Sequence, residues 1–134
     1  MSDIEKDTAV EGTLVDPIVA AHSKSGWLDM TELSIPGWTE VLVKYDGGWD
    51  WNYFGAWYDH DARSFYWHSD SGCSCNDPGD SISELGDFKQ GRKAELIAAY
   101  KEWCRLEWND AVTNEERVGA EKTIRGAIRQ AVQS

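Results

Sequence analysis

The sequence predicts an α+β fold in which a small antiparallel sheet packs on one long helix near the carboxyl end of the chain. Two aromatic runs, Tyr53–Asp59 and Ser64–His68, flank a four-residue turn, and Arg92–Asn109 carries apolar residues at helical spacing. Alternation over two residues is typical of strands, whereas a period near 3.6 is typical of an amphipathic helix. A chain of 134 residues is long enough for one domain with its own core.

Residues 1–25 are expected to form a poorly ordered acidic segment, and residues 26–134 a single domain. Ser2–Glu11 consists mainly of acidic and small residues, and Met1–Gly12 lacks the basic start and apolar stretch of a signal peptide. Asp16-Pro17 is a turn signal, after which Ile18–Ala21 suffices for one helical turn. Terminal segments of this composition are generally mobile.

Glu40–Asp46 is the first predicted strand, and its alternation places Val41, Val43 and Tyr45 on one face. The aromatic hairpin follows, with a turn at residues 60–63. One face of its first strand carries Phe54, Ala56 and Tyr58, and the other carries Tyr53, Gly55, Trp57 and Asp59. Because both faces carry aromatic residues, we expect the hairpin to be covered on both sides, with Gly55 marking a bulge or a close approach by another element. Ser69–Asp80 has the composition of a loop.

Two helices complete the predicted fold. The wide apolar stripe of Arg92–Asn109 consists of Leu96, Ala99, Tyr100, Trp103 and Leu106, extended by Ile97, Cys104 and Trp108. Thr113–Glu116 has the spacing of a capping box and opens a second helix alongside the first. Its core-facing residues are expected to be Ala120, Ile124, Ala127, Ile128 and Ala131.

The charge is distributed unevenly along the chain. Residues 1–88 carry 17 acidic and 4 basic residues, a balance of −13, and residues 89–134 carry 7 acidic and 9 basic residues, a balance of +2, which together give −11. Direct nucleic-acid binding is not expected, because it needs clustered basic residues. No apolar run reaches the roughly 20 residues of a membrane span. An odd number of cysteines fits a reducing compartment, so we expect a cytoplasmic protein.

The Cys73-Ser74-Cys75 segment is the most unusual chemical feature. Together with His60 and His68 it supplies the four thiolate and imidazole ligands that zinc prefers, although a Cys-x-Cys spacing is tighter than usual. The favoured interpretation is a structural loop in which the small thiols pack beneath aromatic residues. A redox pair is the remaining alternative. No cofactor is expected apart from a zinc ion if the metal interpretation holds.

Catalysis is the less favoured class, and we expect a binding protein. Seven aspartates surround the hairpin, but no pair of them has the context of a general acid and base. The sequence also lacks a nucleophile elbow, a phosphate-binding loop and a metalloprotease helix. Tryptophan and tyrosine are favoured anchors of protein interfaces. The candidate binding residues are therefore Trp49, Asp50, Trp51, Trp57, Asp59 and Asp61.

Two segments carry a family resemblance. Tyr66–Asn76 contains the Gly-Cys-Ser-Cys loop after an aromatic strand, and Gly86–Glu95 leads through Gly-Arg-Lys into the long helix. This arrangement resembles a family of small uncharacterised proteins of bacteriophages that infect actinobacteria, over about Val41–Trp103. The resemblance implies a phage origin, and it assigns no mechanism and no functional residue.

The sequence therefore favours a non-enzymatic phage accessory protein that binds a host protein with a basic surface, in the host cytosol. The alternatives are a small zinc-stabilised module, a DNA-mimic-type inhibitor and a ligand-binding domain with a concave aromatic pocket. The oligomeric state is not predicted.

Overall fold

A computed structural model of the chain describes residues 16–47, 49–108 and 114–133. It confirms the predicted α+β class, with a four-stranded antiparallel sheet and three helices in the described residues. The elements in chain order are α1 (Pro17–Ser25), β1 (Trp38–Asp46), β2 (Asp50–Asp59), β3 (Ser64–Cys73), β4 (Lys89–Gly91), α2 (Lys93–Trp108) and α3 (Asn114–Gln133). Two short 3₁₀ turns, Pro78–Ser81 and Leu85–Asp87, lie between β3 and β4. No helix in these ranges is long and apolar enough to cross a membrane.

The strands lie in the order β1-β2-β3-β4, so each pairs with its neighbour in the sequence. The predicted hairpin is confirmed: Asp59 pairs with Ser64 across the turn at residues 60–63. Arg63 takes a positive φ of 53°, which completes this turn. Both strands are longer than predicted, because β3 continues through Cys73, opposite Asp50. The segment predicted as a loop therefore begins as a strand.

A bulge in β1 changes its predicted facing. The register shifts between Glu40 and Leu42, so Val41 is an extra residue in the strand. Val41 then lies in the core beneath the helices, whereas Val43 packs on the opposite face of the sheet. The prediction that these two valines share a face was wrong, because a bulge interrupts the alternation on which it depended.

The helices α2 and α3 cover one face of the sheet. Phe54, Ala56, Phe65 and Trp67 meet them there. The helical residues of this core are Leu96, Ile97, Tyr100, Trp103, Cys104, Ile124, Ile128 and Ala131, which confirms the predicted stripes as far as the side chains are described. The phenyl ring of Phe54 lies 5.1 Å from the ring of Tyr100 in an edge-on contact.

Irregular chain and a short helix cover the opposite face. There Trp51, Tyr53, Trp57 and Tyr66 project from the sheet. The residues that pack onto them are Ile18, Leu28, Met30, Ile35, Ile82 and Phe88. The expectation that the hairpin is covered on both sides is thus confirmed.

The helix α1 occupies part of the segment that was expected to be poorly ordered. Residues 1–15 of that segment lie outside the described residues. The Asp16 carboxylate caps α1 by accepting hydrogen bonds from the amides of Ile18, at 2.8 Å, and Val19, at 3.2 Å. Gly26 ends the helix with a φ of +83°. The fully buried side chain of Ile18 attaches α1 to the core.

Candidate functional site

A groove opens beside the turn of the hairpin, between α1, residues 27–36 and the adjoining ends of β1 and β2. Its cavity volume is about 950 Å³. Four carboxylates, one lysine and two indoles contribute its charged and aromatic lining: Asp29, Glu32, Asp59, Asp61, Lys24, Trp27 and Trp38. We call this the acidic groove. The excess of carboxylates makes it attractive to a cation.

Trp38 is held rigidly in this groove by other aromatic rings. Its ring stacks on Tyr66 at a centroid distance of 4.9 Å and an interplanar angle of 11°. Phe88 contacts it edge-on at 5.7 Å. Such contacts fix the orientation of an aromatic side chain. Trp38 therefore offers a partner a surface that is already positioned.

Trp27 is the exposed aromatic residue of the groove, with 60% of its surface accessible. It follows Gly26, whose left-handed backbone turns the chain away from α1. The hydroxyl of Ser25 donates hydrogen bonds to the carbonyls of Ala21, at 3.1 Å, and Trp27, at 2.7 Å. The backbone that carries this indole is thus attached to the end of the helix.

The hairpin turn places two carboxylates at the groove. Asp59 accepts hydrogen bonds from the amides of Asp61, at 3.0 Å, and Ala62, at 3.2 Å. The amide of His60 donates to the carbonyl of Gly37 at 3.0 Å, which joins the turn to the start of β1. Asp59 also acts on Tyr66: burial raises the pKa of this tyrosine, and the negative charge of Asp59 raises it further.

Hydrogen bonds that involve side chains attach the groove walls to the sheet and to the segment between β3 and β4. The hydroxyl of Tyr53 donates to the carbonyl of Met30 at 2.6 Å, within the core. Burial raises the pKa of Tyr53 above its usual range, so it remains a donor. Asp16 accepts from the amide of Leu85 at 2.9 Å, and His22 contacts the carbonyl of Ile82 at 2.7 Å. These bonds join irregular segments that no strand ladder supports.

The structure divides the predicted binding residues into three groups. Asp59 and Asp61 line the acidic groove. Trp51 and Trp57 are buried in the core, at 2% and 1% exposure, so neither offers a surface to a partner. Trp49, at 84% exposure, and Asp50 lie at the opposite end of the hairpin. Because the strands rise about 3.3 Å per residue, nine steps separate the two ends by about 30 Å.

The structure does not bring the four predicted zinc ligands together. The imidazole of His60 lies at the hairpin turn, 2.6 Å from the hydroxyl of Thr39. Cys73 and Cys75 lie at the other end and are joined to each other by a disulfide bond. Within the part of the chain that the structure describes, no group of three or more His, Cys, Asp or Glu side chains is arranged to hold a metal ion.

His68 belongs to a small polar cluster instead. Its Nε2 atom lies 3.6 Å from the carboxylate of Asp70 and 3.4 Å from the hydroxyl of Ser81. The Ser81 hydroxyl donates to Asp70 at 2.9 Å. Burial lowers the pKa of His68, although the charge of Asp70 acts in the opposite direction. This cluster attaches β3 to the first 3₁₀ turn.

The end of β3 forms a compact loop, residues 72–76, which we call the disulfide loop. The amide of Asn76 donates to the carbonyl of Cys73 at 3.2 Å, and the Cys73 amide donates to the side-chain oxygen of Asn76, also at 3.2 Å. The indole Nε1 of Trp51 donates to the carbonyls of Cys73 and Asn76, each at 2.9 Å. Neither cysteine is buried. Cys104 is a buried free thiol, as its predicted core position requires.

The sequence prediction missed Trp27, Asp29, Glu32 and Trp38 as groove residues. All four lie in residues 27–38, a stretch with neither strand nor helix periodicity for which no element was predicted. The available signal was the presence of tryptophans there. A tryptophan outside any periodic element has no predicted face on which to be buried, so it is a candidate for a surface contact.

Comparisons with known proteins give one match. The model of a family described as a domain of unknown function, DUF7574, matches residues 33–134. No curated protein and no solved structure matches the chain. The match includes Trp38, Asp59 and Asp61 of the acidic groove, whereas Lys24, Trp27, Asp29 and Glu32 precede it.

Proposed function

The chain belongs to the DUF7574 family of domains of unknown function, so we propose a role from its own surface: it is a non-enzymatic accessory protein that binds another protein through an acidic, aromatic-rich groove. The partner is a protein that presents a basic segment. The phage origin, the host identity of the partner and the cytoplasmic location belong to the same proposal, and they rest on the sequence resemblance and the cysteine count.

The observation that carries this proposal is the composition of the acidic groove. Its lining contains four carboxylates against one lysine, and the two indoles lie among them. Arginine and lysine side chains pair with carboxylates, and they also stack on the faces of tryptophan rings. A basic segment therefore satisfies both kinds of lining at once.

The overall charge supports the same partner. The chain carries a net charge of −11, which repels acidic surfaces and attracts basic ones before contact. Association driven in this way is fast at low ionic strength, and it slows as salt screens the charges. Binding that is insensitive to salt would contradict this account.

A capture experiment with matched variants tests the proposal. The Asp59→Asn/Asp61→Asn double variant removes two negative charges from the groove and retains a side-chain oxygen that can accept the turn hydrogen bonds. The host protein that the wild-type chain captures at low salt is then purified. We expect its dissociation constant to increase by about tenfold or more for this variant.

The control is the Asp46→Asn/Asp50→Asn double variant, at the other end of the hairpin. It changes the net charge by the same amount, and we expect it to alter affinity by less than about twofold. Equal losses of affinity in the two variants would show that the partner responds to the overall negative charge and does not bind at the acidic groove. Failure to capture any protein that depends on the groove aspartates would overturn the proposal.

A ligand-binding role for the same groove is the second candidate, because the cavity is concave and contains two indoles. One face of Trp38 is already stacked on Tyr66, so a sugar ring could use only the other face. Stacking of a neutral sugar changes little with salt, whereas pairing with a basic segment weakens. Measuring the affinity of any bound ligand at several salt concentrations therefore separates the two roles.

A further inference from the structure

The Cys73–Cys75 disulfide lies at the exposed end of β3, away from the acidic groove. Both cysteine residues are exposed to solvent, so the bond lies at the surface that an attacking thiol would approach. The bond joins residues only two apart in the sequence. It closes a very small loop, and in the chain-entropy account such a loop restricts the unfolded chain least.

The disulfide loop has other bonds that hold its shape. Asn76 and Cys73 are joined by two hydrogen bonds of 3.2 Å each, one from each amide. The indole of Trp51 donates to the carbonyls of Cys73 and Asn76. Opening the disulfide therefore leaves the end of the hairpin attached, so that the loop can be reduced and reoxidised without unfolding the domain.

Trp51 is in direct contact with the disulfide loop. It is 2% exposed, and its ring lies against Gly72, where an added Cβ atom would come within 2.6 Å of the indole. Its Nε1–H group contacts a carbonyl from the first cysteine and one from the residue after the second. A change in the separation of these carbonyls alters the hydrogen bonding of the indole directly.

The charges around the loop are negative. Asp50, at the start of β2, lies opposite Cys73 in the sheet register. Asp46 ends β1, the strand on the other side of β2. Asp77 directly follows the loop and is exposed. Carboxylates near a disulfide repel an anionic thiol and attract a cationic one. They also disfavour the thiolate that leaves when the bond opens.

From these observations we propose that Cys73 and Cys75 form a thiol–disulfide exchange site whose preferred reactant is a small thiol with positive charge. The thiolate of the reactant bonds to one cysteine sulfur, the Cys73–Cys75 bond breaks, and the other cysteine leaves as a thiolate that takes up a proton. A second reactant thiolate then attacks the mixed disulfide. This step forms the disulfide of the reactant and frees the second cysteine, so that two electrons pass to the protein.

Alkylation of the folded full-length protein tests the opening. Without reductant we expect no cysteine to be alkylated, because Cys73 and Cys75 are bonded to each other and Cys104 is buried. After treatment with cysteamine, a cationic thiol, we expect two alkylated cysteines, and a third only after denaturation. Removal of the thiol and reoxidation should restore the unreactive state. Alkylation of two cysteines before any reductant, or of none after it, would overturn the proposal.

The charge preference is tested by comparing cysteamine with mercaptoacetate, an anionic thiol. Each rate is divided by the rate of the same thiol with an uncharged small disulfide, which removes intrinsic reactivity. We expect the corrected ratio to favour cysteamine by at least about threefold at low salt, and to fall toward one at high salt. The Asp50→Asn variant should show a smaller ratio. A ratio of one or less in the wild-type protein contradicts the preference.

Tryptophan fluorescence tests the part played by Trp51. Reduction should change the emission of the wild-type protein, and the Trp51→Phe variant should lose that change while its two cysteines still become alkylated. The Trp49→Phe variant is the control, because its neighbouring indole is exposed and makes no bond to the disulfide loop among the described contacts. A change in emission that survives in the Trp51→Phe variant would show that another tryptophan responds to the disulfide loop.

Discussion

Single residues in β2 show where sequence periodicity was sufficient to predict the surroundings of a side chain and where it was not. Gly55 was predicted to mark a bulge or a close approach by another element, but the side chains that close over it, Tyr53 and Trp57, belong to its own strand. Trp51 and Trp57 were predicted as binding residues, yet both are buried. The two-residue alternation of a strand placed Trp57 on the same face as Tyr53. It could not show that irregular chain covers that face.

The first prediction at this scale concerns Gly55. An added Cβ atom would lie 2.5 Å from the ring of Trp57 and 2.8 Å from that of Tyr53, both of them packed in the core. We expect Gly55→Ala to lower the free energy of unfolding by about 1–3 kcal/mol, measured by urea denaturation.

Gly126→Ala is the matched control, because Gly126 lies in α3 with open space around its Cα atom. Alanine is the better helix former, so this variant should gain about 0.5–1 kcal/mol. Equal effects of the two substitutions would show that the space above Gly55 is not restricted.

The partly buried imidazole of His68 leads to a prediction about pH. Because burial lowers its pKa in the folded protein, the unfolded chain binds more protons as the pH falls below about 6.5. This residue therefore destabilises the fold progressively on acidification, until the pH lies below its folded pKa.

We expect His68→Gln to lose part of the decrease in urea midpoint between about pH 7.5 and about pH 5 that the wild-type protein shows. Identical pH profiles for the two proteins would contradict this role of His68.

At the scale of elements, the hairpin and both carboxyl-terminal helices follow from local patterns, since each has a clear period and a recognisable start. The helix α1 follows only in part: one helical turn at Ile18–Ala21 was predicted, whereas the helix spans Pro17–Ser25, and only Ile18 in it is buried. Its stability comes instead from Asp16, which caps it and also accepts from the amide of Leu85, 69 residues away. No local pattern reveals a partner so distant.

We therefore expect Asp16→Ala to lower the free energy of unfolding by about 2 kcal/mol, since it removes a helix cap and a charged acceptor together. Asp16→Asn keeps one side-chain oxygen and should lose about half as much. The measurement is the urea midpoint with the slope held in common. A loss in Asp16→Asn equal to that in Asp16→Ala would show that the carboxylate, and not the cap alone, is required.

At the scale of the whole molecule, the candidate site was predicted least well. Only Asp59 and Asp61 of the acidic groove were identified, because one precedes a recognisable turn and the other lies within it. The other wall consists of irregular chain whose position depends on contacts with the sheet, such as the bond from Tyr53 to Met30. Sequence periodicity describes elements, but a groove between an element and a loop depends on tertiary packing.

The extent of the family match leads to the last prediction. A fragment containing residues 33–134 lacks Ile18, Leu28 and Met30, which cover the second face of the sheet. We expect this fragment to expose aromatic surface, to bind a hydrophobic dye and to lose its near-ultraviolet circular dichroism.

A fragment containing residues 16–134 retains all three covering side chains and is the control. It should bind no dye and should unfold cooperatively on heating. A cooperative fold for the shorter fragment would show that the covering residues are dispensable.

The sheet has a consequence for anyone who wishes to engineer the protein. Tyr53 and Phe54 are adjacent in the chain, yet their side chains lie in separate cores on opposite faces of the sheet. Substitutions that share no contact have nearly additive effects on stability. A library directed at Trp27, Trp38 and their neighbours can therefore be selected for new partners, while stabilising changes in α3 are found separately and combined afterwards.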